Sequence, residues 1–196
     1  MGLLDEGLPC FVALGGAEVP VKTGFRRGVR AASMDRGDPD DRLVLMALLY
    51  GDPQGWPEAV LRDQRGALAA GLEWLDGAWG ACTYGGAGEA SGRRTFDLEA
   101  DAAVVAADFQ RLYGIDLLDP STRLHWWRFT ALLAGAMRTE GALTAQAVAA
   151  RSPMPAGVKG QERRRLLRAR GAWALPPTEA ERVEAARAAA LREFGG

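Results

Sequence analysis

Apolar residues recur every three or four positions along most of the chain, which is the spacing of amphipathic helices. The clearest such segment covers residues 97–113, and Asp97 is a suitable N-cap for it. Gly114 stands where a left-handed C-cap residue belongs, and Ile115 is placed to fold back on Phe109. The apolar face of this predicted helix is formed by Leu98, Ala102, Val105, Phe109 and Leu112.

A second helix is predicted over residues 120–138, beginning at the Asp119-Pro120 pair. Its apolar residues fall on two sides, which indicates a central helix that packs between neighbours. One side carries Leu124, Trp127 and Ala131, and the other carries Trp126, Phe129, Leu133 and Met137. We expect the two helices to pack together through Val105, Phe109, Leu124 and either Trp127 or Phe129.

Shorter elements are predicted on both sides of this helical pair. Residues 11–14 and 17–21 flank Gly15-Gly16, which is the pattern of a β-hairpin. Helices are predicted over residues 38–50, 57–75 and 143–151, and after a capping box formed by Thr178 and Glu181. The buried stripe of the 57–75 helix would be Leu61, Leu68, Leu72 and Leu75. The fold class is therefore mainly α, a multi-helix orthogonal bundle of about six helices with a small N-terminal β-hairpin.

A glycine-rich stretch interrupts the helical pattern near the middle of the chain. Six of the 17 residues from Asp76 to Gly92 are glycine, which favours a loop or linker. We therefore divide the chain into an N-terminal hairpin with helices (1–76), a glycine-rich linker (77–95), a helical core lobe (96–175) and a C-terminal helix (176–196).

Composition narrows the classes of function. The chain has 196 residues, 24 Lys and Arg against 25 Asp and Glu, and a net charge of −1. A protein that coats nucleic acid carries a positive excess, so this class is unlikely on charge. No apolar run approaches the ~20 residues that cross a bilayer. The two cysteines form no ligand pair, so we expect reduced thiols and a cytoplasmic protein.

The candidates for chemistry are sparse. The single histidine, His125, has no further histidine or cysteine near it in sequence, so we interpret it as a structural residue that donates a hydrogen bond. Asp97, Asp101 and Asp108 are candidates for acid–base work or cation binding, but helix capping is the interpretation that we favour. We expect no enzymatic activity, no catalytic residue, no cofactor and no metal.

Two surfaces are candidates for binding. The basic run from Arg163 to Arg170 fits a solvated helix face or an acidic protein partner better than nucleic acid, because Glu162 adjoins it and no aromatic residue interleaves with it. The last helix carries Val183, Leu191 and Phe194 at helical spacing, and we predict that this stripe contacts a partner.

One set of residues between 96 and 133 resembles a known family. It combines the strings Tyr-Gly-Ile-Asp-Leu and His-Trp-Trp at a fixed separation. The sequence over roughly residues 9–175 resembles the bacteriophage gene product fifteen family of long-tailed phages and prophages. The signature residues are Phe96, Asp97, Asp101, Phe109, Tyr113, Gly114, Asp116, His125, Trp126, Trp127 and Phe129.

The resemblance implies an accessory protein of phage tail morphogenesis in the cytoplasm of the bacterial host. Its expected role is a tail assembly chaperone that binds the tape measure protein, together with a sister chaperone in some systems. Two alternatives stay open: a structural tail or connector component that remains in the virion, and a nucleic-acid-binding accessory protein that uses the run from Arg163 to Arg170. The resemblance implies no catalytic residues.

Overall fold

Helices make up most of the described chain, which comprises residues 7–82 and 94–194 of this computed structural model. The described residues form nine α-helices rather than about six, and the predicted mainly α fold with an N-terminal β-hairpin is confirmed. The elements are β1 (Phe11–Leu14), β2 (Ala17–Pro20), α1 (Phe25–Ala32), α2 (Pro39–Tyr50), α3 (Glu58–Arg62), α4 (Gln64–Gly80), α5 (Ala102–Tyr113), α6 (Trp126–Ala136), α7 (Leu143–Arg151), α8 (Gly160–Ala172) and α9 (Glu179–Phe194).

The hairpin forms where the sequence predicts it. Strands β1 and β2 are antiparallel, and Val12 pairs with Val19 across them. Gly15 and Gly16 have φ angles of 58° and 82°, which a two-residue hairpin turn requires and which glycine adopts without strain. Val12, Leu14 and Val19 point into the core. A two-stranded hairpin is marginal alone, so this packing against the helices stabilises it.

Helices with strong local caps also match the prediction. The Asp38 carboxylate accepts a 2.8 Å hydrogen bond from the Asp40 N–H, and Pro39 occupies the first turn of α2. At the start of α9, the Thr178 N–H donates to Glu181 and the Glu181 N–H donates to the Thr178 hydroxyl, at 2.6 and 3.1 Å. These side chains satisfy N–H groups that have no partner inside their own helix.

The helix predicted over residues 57–75 differs from the structure in three respects. Asp63, with φ −136° and ψ 75°, ends α3, and its carboxylate accepts from the Gly66 N–H at 2.8 Å to cap α4. Leu61 is 54% exposed and therefore leaves the predicted buried stripe. Helix α4 continues to Gly80, so the predicted linker does not begin at residue 77. The remainder of that glycine-rich stretch, residues 83–93, lies outside the described residues.

The starts of the two central helices also differ from the prediction. Asp97 accepts from the N–H groups of Glu99 and Ala100 and caps a turn, while α5 begins only at Ala102. Asp119 likewise organises a turn, and α6 begins at Trp126 rather than at residue 120.

A short backbone pairing delays the start of α6. Gly24 and His125 form an antiparallel bridge in which the Phe25 N–H donates to Leu124 at 2.9 Å and the Trp126 N–H donates to Thr23 at 2.6 Å. Residues 124 and 125 are therefore extended instead of helical. Helix α1, which the sequence analysis did not predict, begins directly after the same bridge.

Aromatic rings from three helices form the centre of the core. The ring of Phe129 lies 5.2 Å from Phe109, 5.4 Å from Phe25 and 5.6 Å from Trp126, measured between centroids. The predicted contact between Phe109 and Phe129 is thus confirmed. The Trp126 indole donates to the Leu75 carbonyl at 3.0 Å. Residues on both sides of the glycine-rich stretch therefore share one core.

Candidate partner-binding surface

Helix α9 presents apolar side chains that the described part of the chain does not cover. Val183 is 59% exposed and Leu191 is 68% exposed. Every side chain from Glu181 to Arg192 is exposed apart from the half-buried Ala188. The side chain of Phe194, the third residue of the predicted stripe, lies outside the described part of the structure.

An arginine fastens the N-terminal end of α9 to the body. Arg94 lies 3.7 Å from the Glu181 carboxylate and 2.6 Å from the Asp97 carboxylate, and it donates to the Pro176 carbonyl. The N–H of Thr178 lowers the pKa of Glu181, and the Thr178 hydroxyl and Arg94 add to this effect. The carboxylate is therefore charged at neutral pH and keeps both its capping and its ionic contact.

The signature aspartates act at helix ends or in ion pairs. Asp101 and Arg151 form a buried pair with two hydrogen bonds of 2.6 and 2.7 Å. Arg151 also donates to the carbonyls of Thr95 and Trp173, so it joins α7 to the segment before α5 and to the residue after α8. This geometry leaves the Asp101 carboxylate fixed inside the protein.

Asp108 caps α7 from the middle of α5. Its carboxylate accepts from the N–H groups of Leu143 and Thr144 at 3.0 and 2.8 Å, and from the Thr144 hydroxyl at 2.6 Å. Burial raises the pKa of Asp108, but the donors on Thr144 and Leu143, with Arg111, hold it below its ordinary value. The carboxylate is charged and its oxygens are occupied, which is the arrangement of a structural cap.

The remaining signature residues shape the turn between α5 and α6. Gly114 has a φ of 66°, and the Ile115 N–H donates to the Phe109 carbonyl at 3.2 Å, as the C-cap prediction requires. Asp116 accepts from the Leu118 N–H at 2.8 Å. The Tyr113 hydroxyl donates to the Leu132 carbonyl at 2.8 Å.

Phe96, the signature residue that precedes α5, is half-buried and packs against the core.

His125 is the N-cap of α6. Its Nδ1 accepts a 3.2 Å hydrogen bond from the Trp127 N–H, which assigns the ring proton to Nε2. The Cys10 sulfur lies 3.8 Å from Nε2. Because Nε2 carries a proton, it does not accept one from the thiol. Burial lowers the pKa of His125, and a hydrogen bond with the Pro9 backbone partly offsets this effect. A half-buried structural histidine fits these contacts.

The adjacent tryptophans have different environments. Trp126 is fully buried, whereas Trp127 is half-buried. Within the described residues, the Trp127 indole N–H is a buried donor without an acceptor. Trp126 is therefore the core residue of the pair.

Arg26 is a structural residue that the sequence analysis missed. Its guanidinium donates to three carbonyls of the α5–α6 turn, those of Leu117, Asp119 and Thr122, at 3.0, 2.6 and 2.9 Å. It also lies 4.7 Å from the centroid of the Phe25 ring. The overlooked signal was the helical spacing of Phe25, Val29 and Ala32.

The basic run from Arg163 to Arg170 lies on α8. Arg163, Arg164, Arg165 and Arg168 are exposed, while Arg170 donates to the Ser152 carbonyl. Over residues 7–82 and 94–194, no group of three or more His, Cys, Asp and Glu side chains is arranged to hold a metal ion. None of the helices in these ranges combines the length and the apolar character needed to cross a membrane.

Comparison with protein families gives a match to the central and C-terminal part of the chain. Residues 81–175, just under half of the chain, match the model of a family described as bacteriophage Gp15 protein. The match is narrower than the expected range of 9–175. The strands β1 and β2 and the helices α1–α4 lie before the matched segment, which begins at the residue after α4. Comparison with curated proteins and with solved structures gives no match. The matched segment contains every signature residue, and over this segment the chain is similar to bacteriophage Gp15 protein, which points to a phage-related protein.

Proposed function

We propose that this chain is an accessory protein of phage tail morphogenesis, a tail assembly chaperone that binds the tape measure protein in the cytoplasm of the bacterial host. The family match supports the phage-related part of this proposal. The uncovered apolar stripe of α9 is the observation that carries the binding role. No enzymatic step is part of the proposal, and a sister chaperone is the proposed second partner.

The stripe is suited to contact with another helix. At about 100° per residue, Val183, Leu191 and Phe194 fall within an arc of about 80° on α9. Exposed Val and Leu side chains on one face are the anchors that a helix lays against an apolar partner. A contact that buries ~150–300 Å² of apolar surface at ~25 cal/mol per Å² contributes a few kcal/mol before the cost of association.

The tape measure protein is expected to be long, apolar and helical, and it needs such contacts before the tail tube polymerises around it. An apolar mechanism fits this chain because its net charge is −1 and leaves little long-range attraction for a charged partner. The matched segment ends at residue 175, so the stripe belongs to the part of the chain that follows it. The proposal therefore places partner binding on α9, outside the matched segment.

The test is co-expression with the long helical protein encoded downstream, followed by pull-down. The intact chain should retain its partner when salt is raised from about 50 to about 500 mM, because screening acts on charge and not on apolar burial. The variant Val183→Asp/Leu191→Asp should lose the partner. The matched variant Ala185→Asp/Ala189→Asp adds the same charge to the opposite side of α9 and should retain it.

Other outcomes distinguish the alternatives. Release by salt with no effect of Val183→Asp/Leu191→Asp contradicts the apolar mechanism and favours the exposed arginines of α8. Failure to capture any tail protein contradicts the chaperone role itself. Presence of the chain in purified virions favours a structural tail or connector component. Binding of nucleic acid that is lost in Arg163→Glu/Arg164→Glu favours a nucleic-acid accessory protein.

A further inference from the structure

Four cationic side chains lie on and beside α1 at the surface of the protein. This group, the basic rim, consists of Lys22, Arg27, Arg30 and Arg123, and all four are exposed. Among the described residues, none of the four forms an ion pair within 4.0 Å. Arg27 is held in place because it donates to the Ala47 carbonyl at 3.1 Å. The rim therefore offers cationic side chains that form no close ion pair with the described residues, while Asp119 and Asp52 lie near it.

An apolar cleft adjoins the rim on the other side of α1. The cleft is a cavity of about 210 Å³ between α1 and α5. Leu118 lines this cavity and is 78% exposed, although it is a large apolar residue. Its backbone is fixed by the hydrogen bond from its N–H to Asp116. The apolar lining includes Val29, Leu98, Ala102, Val105, Leu117 and Leu118.

Arg26 joins the two features into one surface. It lines the apolar cleft and also the depressions that contain Arg27, Arg30 and Arg123. Its guanidinium is bound to the carbonyls of Leu117 and Asp119, the residues on either side of Leu118. The backbone on both sides of the exposed leucine is therefore fixed next to the basic rim, so little backbone entropy is lost there when a partner binds.

We propose that this surface binds an acidic amphipathic segment of another protein. An apolar side chain of that segment occupies the cleft beside Leu118, and its Asp or Glu residues lie along the basic rim. Complementary charge fixes the orientation of such a contact, and the apolar anchor supplies its core. The site does not involve α9, so it is separate from the proposed tape-measure contact.

A protein segment fits this surface better than nucleic acid. A phosphate backbone has no apolar group that would cover Leu118 and the cleft. Stacking of bases requires exposed aromatic rings, and Phe25 and Phe129, the phenylalanines that line the cleft, are both buried.

The test uses a fluorescein-labelled helical peptide with Glu along one face and Leu along the adjoining face. Its binding to the intact chain is measured by fluorescence anisotropy. Because the contact uses both charge and apolar burial, Arg30→Glu and Leu118→Gln should each weaken binding about fivefold or more. The matched variants Arg163→Glu and Leu61→Gln change exposed residues of the same type elsewhere and should bind as the parent chain does.

Three results would overturn the proposal. One is absence of binding, and another is equal binding by the parent chain, Arg30→Glu and Leu118→Gln. A third is tighter binding of a DNA oligonucleotide of equal charge that Arg30→Glu weakens and Leu118→Gln does not, which would make the rim a nucleic-acid site. The variant Val183→Asp/Leu191→Asp should bind the peptide normally, so failure of this site and failure of the proposed chaperone function are separate results.

Discussion

The aspartates of the matched segment are best understood from the backbone groups that they contact. Asp97, Asp108 and Asp116 each accept hydrogen bonds from N–H groups at the start of a helix or turn. Such groups have no partner within their own helix, and a carboxylate satisfies them while it also interacts favourably with the helix dipole. These aspartates of the matched segment therefore specify where helices and turns begin.

His125 should make stability depend on pH. Burial holds its pKa in the folded chain below the ordinary value of 6.5. Above about pH 6.5 the imidazole is neutral in both states and the cap is intact. As the pH falls below this value, the unfolded chain takes up a proton that the folded chain does not, so the free energy of unfolding decreases until the folded pKa is passed. Urea titrations at several pH values measure this dependence.

Two substitutions of His125 separate its role as the N-cap of α6 from the protonation of its imidazole. His125→Asn keeps a side-chain acceptor at the N-cap and removes the ionisable group, so it should abolish the pH dependence at little cost in stability. His125→Ala removes the cap as well and should cost about 1 kcal/mol at pH 8. An unchanged pH dependence in His125→Asn would show that another group is responsible.

Phe109 should be among the most sensitive core positions. It is 0% exposed, and its ring contacts those of Phe129 and Tyr113 at 5.2 and 5.5 Å. Phe109→Ala should lower the free energy of unfolding by about 3–5 kcal/mol, because it leaves a cavity at the centre of the core. Phe11→Ala removes a ring that is 53% exposed and serves as the control, with an expected cost below about 1 kcal/mol. Equal costs for the two variants would contradict the assignment of Phe109 to the core.

At the scale of the elements, the pair of Asp101 and Arg151 joins α5, α7 and the chain around them. Arg151→Met leaves a buried carboxylate without its partner and should cost about 3–5 kcal/mol in chemical denaturation. The double variant Asp101→Leu/Arg151→Met removes both charges and should be more stable than Arg151→Met alone. A double variant whose loss equals the sum of the two single losses would show that the two residues are not coupled.

Elements with local signals could be predicted from the sequence, and those set by distant contacts could not. The hairpin, α2 and α7 follow from Gly15-Gly16, from the Asp38-Pro39 cap and from apolar spacing within one segment. The late start of α6 depends on the bridge between Gly24 and His125, which are far apart in sequence. The role of Arg26 was missed for the same reason, because its carbonyl partners are more than 90 residues away in sequence. The apolar stripe of α9 could be proposed because it follows from spacing within one helix.

At the scale of the whole molecule, one core connects residues before and after the glycine-rich stretch. Phe25 stacks on Phe129, and Trp79 meets Trp126 edge to face with centroids 6.2 Å apart. A methyl group at Gly28 would lie 2.2 Å from the Trp126 ring, so α1 packs against α6 with no room for a side chain at this position. Separate folding of the two parts would leave these faces without their partners.

The described body should therefore unfold as one cooperative unit. Leu45 and Leu49 in α2 and Phe129 and Leu133 in α6 belong to the same buried cluster, so loss of one part exposes the other. Native-state hydrogen exchange can measure the opening free energy of amides in both helices. Phe109→Ala, although it lies in α5, should lower that free energy by the same amount in α2 as in α6. A decrease confined to α6, with α2 unchanged, would mean that the two parts are independent lobes and would contradict the single core.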